Sequence, residues 1–568
     1  MKSKRSKSND QVQKQVKLVE QQTWQEGKQE EIGVQYIDNN LRSIKFFVEY
    51  TKDKQIKYIV DGNILREQQI IDTTVQPEIM RNLEQVKYLR WEGEFGKNKQ
   101  KIKKWNAFWR ESNLNVGGMY NENGQKQGKW IDLFPNFFDL SKVTIQGMYK
   151  QGLKQGEWVY YFENQQIANG IYNENGQKNG TWVELCDYYS RDNVLTYRGK
   201  YNNGVKFGKW DTYFQSDFAD QKQLIGGGEY NKQGEKNGNW IEIHEKDFSI
   251  CDIYYLGEYK NGKKQGKWDT QFSYMSVDRE YQIIGGGSYD ENELKTGQWI
   301  ELDENFKDTS QIILEGEYVQ GKKQGMWTIK FRLNEKHKFI IIGGGNYDIY
   351  GRKIGKWKDT NDNFLIQNQM IETGEYENGK RKGKWITKYR YKIKDTFVKI
   401  GEGNYDDLEV KNGRWVEPFQ NFHSICQVTL VGDYLKGNKI GQWKIQLRYH
   451  EKDRFKQIGG GAYDEKGFKN GQWLELIDNF KLSNQVILQG NYLNGKKLGQ
   501  WNILYKKNPK QDFQIIAGGQ YNEKGLKNGN WIDLDFGFCF GEYTGVLKGE
   551  YKNGIKIKEF EEDIINKA

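Results

Sequence analysis

GEYKNGKKQGKW, residues 257–268, decides how the chain is read. It carries a Gly-x-Tyr step, an Asn-Gly dipeptide and then Gly-x-Trp. Asn-Gly between two aromatic-bearing runs signals a tight hairpin, because a two-residue turn of the favoured hand needs positive φ at both positions. The pattern returns throughout the chain. Fifteen of the nineteen tryptophans form one series, and from Trp182 to Trp531 their spacings alternate between 28 and 30 or 31 residues. The true period is therefore a pair of hairpins of about 58 residues, a self-similarity that takes precedence over any single-domain reading of a long chain.

Two sub-types alternate. The quoted form recurs at Tyr149, Tyr201, Tyr318, Tyr376, Tyr434 and Tyr492. The other has extra glycines and a turn one residue longer, as in GGGSYDENELKTGQW at 285–299, and recurs at Tyr120, Tyr172, Tyr230, Tyr347, Tyr405, Tyr463 and Tyr521. In all fifteen units Gly stands two residues before Trp. A degenerate unit ending at Trp105 and a half-unit ending at Phe560 bring the array to about seventeen hairpins over residues 91–560. Residues 1–40 read as a basic, Gln-rich tail, disordered or partly helical. Residues 41–90 read as an N-terminal cap, with a hairpin around Asp61-Gly62 and a short helix starting near Pro77 that sets Ile79, Leu83 and Val86 along one face. Residues 561–568 form an acidic tail.

After Trp327, Ile329, Phe331 and Leu333 alternate with Thr328, Lys330 and Arg332, the period of a strand with one covered face. Gly falls two residues before almost every repeat Tyr, and leaves a shallow well over which a ring from the neighbouring strand can lie. This explains how a chain only 36% apolar but 15% aromatic makes a core. Tyr259, Gly266 and Trp268, Tyr318, Gly325 and Trp327, and Tyr376, Gly383 and Trp385 are accordingly read as repeat framework. The predicted fold is all-β: an elongated ribbon of antiparallel hairpins, about 160 Å long at ~4.8 Å per strand if it runs straight, and an elongated monomer in solution.

The repeat also spaces cations. Four residues before each Trp stand Lys126, Lys154, Lys178, Lys206, Lys236, Lys264, Lys295, Lys323, Lys353, Arg381, Lys411, Lys439, Lys469, Lys497 and Lys527. Same-edge turns would align them as a cationic stripe about 9–10 Å apart, near the Debye length at physiological salt. Such a stripe suits an anionic partner. Two bland readings compete with it: the lysines solubilise the turns, or their stems pack on the preceding Tyr while the heads reach water.

GEYKNGKKQGKW and GEYENGKRKGKW resemble MORN (membrane occupation and recognition nexus) repeats, over about residues 91–560. The period is longer than the usual twenty-three or so, and the paired organisation resembles long ciliate MORN-like arrays. The resemblance implies scaffolding, cytoskeletal or ciliary assembly and, for some members, binding of acidic phospholipids.

Enzymatic chemistry has no counterpart in the sequence. His244, His337, His423 and His450 share no repeat position and no metal-ligand spacing, so neither a metal nor a cofactor is expected. The GGG runs are not followed by Lys-Ser or Lys-Thr and a helix, as a phosphate loop requires. Glu242, Glu301 and Glu475 recur after Trp and read as a solvated strand face. Lys+Arg 87 against Asp+Glu 77 is a mixed surface, which disfavours nucleic acid. With no apolar leader in MKSKRSKSNDQ, no membrane-spanning run and four widely spaced cysteines, the expected location is the cytoplasm, at the cytoskeleton or a membrane. The expected function is a non-enzymatic scaffold with protein partners. The alternative is a peripheral protein that binds anionic phospholipid through its lysine-bearing turn edge.

Overall fold

A computed structural model describes residues 25–37, 40–71, 77–191, 193–215, 222–244, 251–274, 281–334, 336–361, 364–419, 422–424, 426–477, 480–482, 485–506, 511–534, 545–557 and 561–564. The chain is nearly all β. A small sheet runs β1 (Gly27–Ile37), β2 (Asn40–Tyr50), β3 (Gln55–Val60) and β4 (Asn63–Gln69), each antiparallel to the next. A helix, α1 (Leu83–Tyr88), follows and leads into β5 (Leu89–Phe95), the first strand of one long antiparallel sheet that takes in every later strand among the described residues. That sheet is open, since among the described residues β5 pairs only with Lys101–Trp109 and the last strand, Glu561–Ile564, only with Gly545–Lys552.

The boundaries differ from the sequence reading at the N-terminal end. Residues 1–24 lie outside the described residues, but Gly27–Ile37, expected within a tail, is a full strand paired with β2. The helix begins at Leu83 and not near Pro77. Asn82 is its cap, its Oδ1 accepting from the amides of Glu84 (3.0 Å) and Gln85 (3.4 Å), which satisfies donors that no earlier residue serves. Leu83 and Val86 are buried against Phe46 and Tyr58 as the stripe requires, and Ile79 packs there from outside the helix. Residues 561–564, placed in the tail, add a strand to the array.

Within the array each quoted-type turn takes the mirror-image form. Asn261 and Gly262 have φ of 50° and 80°. Gly266, Gly325 and Gly383 have φ of 62°, 64° and 62°, a region closed to side chains at low cost, and there the pairing slips. Leu256 faces Asp269 and Glu258 faces Gln265, so Gly257 alone opposes the Gly-Lys-Trp step. This bulge swings the indole across the glycine well. A Cβ added to Gly316 would lie 2.5 Å from Cδ2 of Trp327, so the expected ring-over-glycine packing is present.

Bulges bend strands, and one recurs in nearly every hairpin. The straight run is therefore replaced by a curl. The amide of Lys469 donates to Gly62 O (3.2 Å), the amide of Ile64 to Gly495 O (3.1 Å), and Arg66 Nη1 to Leu89 O (2.6 Å). Arg90 at the start of the array also reaches Gly554 O in its last hairpin (3.2 Å). The N-terminal sheet thus closes the gap between the two ends. Loops add a clasp of their own. Seven residues after Trp299 and Trp357 stand Phe306 and Phe364, both buried, and Ser310 Oγ donates to Phe364 O (2.7 Å), tying one hairpin pair to the next.

Candidate binding groove along the repeat array

The cationic residues do not line an outer turn edge. Each is the first or second residue of the strand that follows its turn, and its head folds back over its own indole. The fifteen cation-to-centroid distances run from 3.9 to 4.7 Å, within the range where a ring face attracts a cation. Tyrosine edges alternate with the indoles. Tyr259 and Trp268 have centroids 5.2 Å apart at 88°, Trp268 and Tyr289 6.2 Å at 84°, and the chain of T-shaped contacts continues from Phe95 to Tyr551. Tyr318 with Trp327 and Tyr376 with Trp385 repeat the geometry.

Carboxylates complete the ladder. Glu242, two residues after Trp240, accepts from Lys236, from Lys264 Nζ (2.8 Å) and from the Tyr259 hydroxyl (2.8 Å). Glu301 holds Lys295, Lys323 (2.8 Å) and Tyr318 (2.9 Å) in the same way, and Glu475 holds Lys469 (3.0 Å), Lys497 (2.8 Å) and Tyr492 (3.0 Å). These glutamates are not a solvated face, as their side chains are only 12–18% exposed. Burial works to raise their pKa, but the paired ammonium groups more than reverse it, and Glu475 is held at about 2. Asp132, Glu184, Asp359, Glu417 and Asp533 occupy the equivalent positions. Among the described residues fifteen cations thus meet these eight ladder carboxylates together with Glu372, which takes Arg381, and Asp61 of the N-terminal sheet, leaving five cations in excess. A signal for these pairings stands in the sequence as Lys-x-x-x-Trp-x-(Asp/Glu), once per hairpin pair.

The two tyrosine sub-types differ in their partners. Those of the quoted sub-type, from Tyr149 to Tyr492, donate to a ladder carboxylate, as Tyr149 does to Asp132 (2.8 Å). The other sub-type has no such carboxylate within its own repeat among the described residues. At Tyr463 the partner comes from the N-terminal sheet. The hydroxyl donates to Asp61 Oδ2 (3.1 Å), and Asp61 Oδ1 accepts from Lys439 Nζ (2.6 Å), with Lys469 at 4.0 Å. Lys439 and Lys469 are correspondingly covered, 13% and 9% exposed, against 22% for Lys264 and 30% for Lys236.

No family model matches the chain, and no curated protein does either. Solved structures with some likeness include the NanB sialidase of Streptococcus pneumoniae in complex with a chlorobenzyl-ammonio-ethanesulfonate, at 10% identity and a TM-score of 0.20 over 92% of this chain and 84% of that one. A point mutant of the same sialidase gives 11% identity and a TM-score of 0.21 over 95% and 92%. Likeness at that level carries no argument.

The N-terminal sheet leaves a stretch of ladder open. A cavity of about 600 Å³ is lined by Lys206, Trp210, Tyr230 and Lys236, continues past Glu242 and Lys264, and ends at Tyr289, Lys295 and Glu301. Its walls come from successive strands of one sheet, so the sheet is concave there. Among the described residues no three His, Cys, Asp or Glu side chains gather as a metal site would require, and no helix is long and apolar enough to cross a membrane.

Proposed function

We propose that the protein is a non-enzymatic scaffold that holds protein partners along its repeat array. The observation that carries this reading is the uniformity of the ladder. The same Lys, Trp, Tyr and carboxylate recur in each hairpin pair, whereas an enzyme concentrates unusual chemistry at one place. Cytoskeletal or ciliary assembly, implied by the likeness to MORN repeats, is the setting this reading suggests.

Adsorption to anionic phospholipid is the second reading, and the excess of five cations favours it. A flat bilayer has to meet ammonium heads that are free to face it, and here the heads lie over rings and against carboxylates. The protein-binding reading therefore has the better support. Proximity labelling from the full chain in its source cell tests it. Reproducible labelling of a defined set of proteins supports the scaffold. Co-sedimentation with phosphatidylserine vesicles at physiological salt, with no protein neighbours labelled, overturns it.

A further inference from the structure

Asp61 shows how the ladder takes a carboxylate from outside the repeats. It stands in the Asp-Gly turn between β3 and β4 and seats between Lys439, Lys469 and the hydroxyl of Tyr463. The Gly62 carbonyl accepts from the amide of Lys469 at the same point (3.2 Å), so an acidic turn docks by side chain and backbone together. Both cations also reach a ladder carboxylate, Lys469 at Glu475 (3.0 Å) and Lys439 at Glu417 (3.9 Å), but neither carboxylate belongs to this seat alone. Glu417 and Glu475, the nearest, are already shared by Lys411 with Tyr434 and by Lys497 with Tyr492.

Two seats of the same composition lie in the open cavity. Tyr230 stands between the units of Lys206 and Lys236, and Tyr289 between those of Lys264 and Lys295, and all six residues line it. Their neighbours Tyr259 and Tyr318 are bonded to Glu242 and Glu301, but the hydroxyls of Tyr230 and Tyr289 have no hydrogen-bond partner among the described residues. We infer that this groove binds an acidic segment of a protein partner, with one carboxylate at each of the Tyr230 and Tyr289 seats, in the manner of Asp61. The inference rests on the scaffold reading and specifies its partner.

Charge and size both point to a peptide. The cations of each seat share their carboxylate with a neighbour, so an incoming carboxylate meets excess positive charge and a hydroxyl donor. Burial pushes the Tyr230 and Tyr289 hydroxyls up to about 12, so both remain donors at neutral pH. A 600 Å³ cavity admits a few side chains and not a bilayer surface. The chain's own residues 1–24 do not suit it, having six Lys or Arg against two Asp or Glu. One hairpin pair separates the seats, four strands or at most about 19 Å, which an extended segment covers in about six residues.

The test uses the full chain and a fluorescein-labelled peptide with two Asp-Gly steps six residues apart. Its twin carries Asn-Gly at both. The Asp peptide is expected to bind in a salt-sensitive way and the twin about tenfold more weakly or worse, as for the loss of charge-assisted hydrogen bonds. The double variant Tyr230→Phe/Tyr289→Phe keeps both rings, so it is expected to melt as wild type does and to lose a similar factor in affinity. No binding of the Asp peptide by wild type, equal binding of the twin, or an unchanged affinity of the double variant each overturns the inference. So does competition by phosphatidylserine vesicles that depends on the two hydroxyls, which assigns the seats to lipid phosphate. If the peptide fails while proximity labelling still finds the same proteins, this site is wrong and the scaffold reading stands. If labelling fails in wild type, it is the scaffold reading that falls.

Discussion

The ammonium of Lys264 lies 3.9 Å from the centroid of the Trp268 indole, four residues along the same strand. The bulge at Gly266 makes this possible, by turning the indole inward over Gly257 while leaving its outer face beneath the lysine head. A cation, a ring and a glycine well are thereby stacked in one column, and the array repeats that column in all fifteen units of the tryptophan series and in the degenerate unit of Lys101, Trp105 and Gly93.

Trp327 is fully buried between Gly316 and Lys323. Trp327→Ala is expected to cost about 3–5 kcal/mol locally, because the ring fills its site and the neighbouring strands can collapse only in part. Gly316→Ala attacks the same contact from below, since its Cβ meets the indole at 2.5 Å. Hydrogen exchange should quicken in residues 311–347 for both variants and stay near wild type in hairpins two pairs away, as neighbour-only contacts require. Uniform loss of protection along the array would contradict this.

The ladder carboxylates make stability depend on acid. A carboxyl whose folded pKa is depressed contributes stability above its unfolded value, about 4.3, and loses it as the pH falls through the folded value. Glu184, Glu242, Glu301 and Glu417 are all lowered in spite of burial by their paired lysines, and Glu475 is held at about 2. The melting temperature should therefore stay level above pH ~5 and fall between about pH 4.5 and 2. Glu475→Gln should melt lower at neutral pH and show a shallower acid fall. A wild-type profile that is flat to pH 2.5 would rule the pairings out.

Much of this could be read from the chain. Asn-Gly and the tryptophan period specify hairpins, and glycine two before each Tyr specifies where a ring lies, because these are local rules. The fate of the lysines was harder to see. Lys264 meets Glu242, twenty-two residues earlier, and only the register between strands brings them together. The Trp-x-Glu positions looked exposed for the same reason, as alternation alone cannot reveal a lysine arriving from the next hairpin. The curl was hidden as well. It builds from small bends at each bulge, and the contact of Asp61 with Tyr463, 402 residues apart, has no local signature.

That contact makes Asp61→Asn a probe of the closure. Removing the charge leaves Lys439 with only the more distant Glu417, at 3.9 Å. Protection of β3 and β4 should fall, and small-angle scattering should show a larger maximum dimension if the ends separate. An unchanged scattering curve together with unchanged exchange in Gln55–Gln69 would mean that Asp61 does not hold the ends.

The most direct test of the ladder is a double-mutant cycle between Lys264→Met and Glu242→Gln, with Lys263→Met as an exposed control. Methionine keeps the stem over Trp268 and removes the charge, and glutamine keeps the shape of the carboxylate. The predicted coupling is about 1 kcal/mol or more, above the ~0.2–1 kcal/mol of exposed pairs, because the two side chains are only 22% and 18% exposed. Lys263→Met should be close to neutral. A coupling near zero, with Lys264→Met no worse than Lys263→Met, would mean that the cations are surface charge after all and that the ladder does not hold the array together.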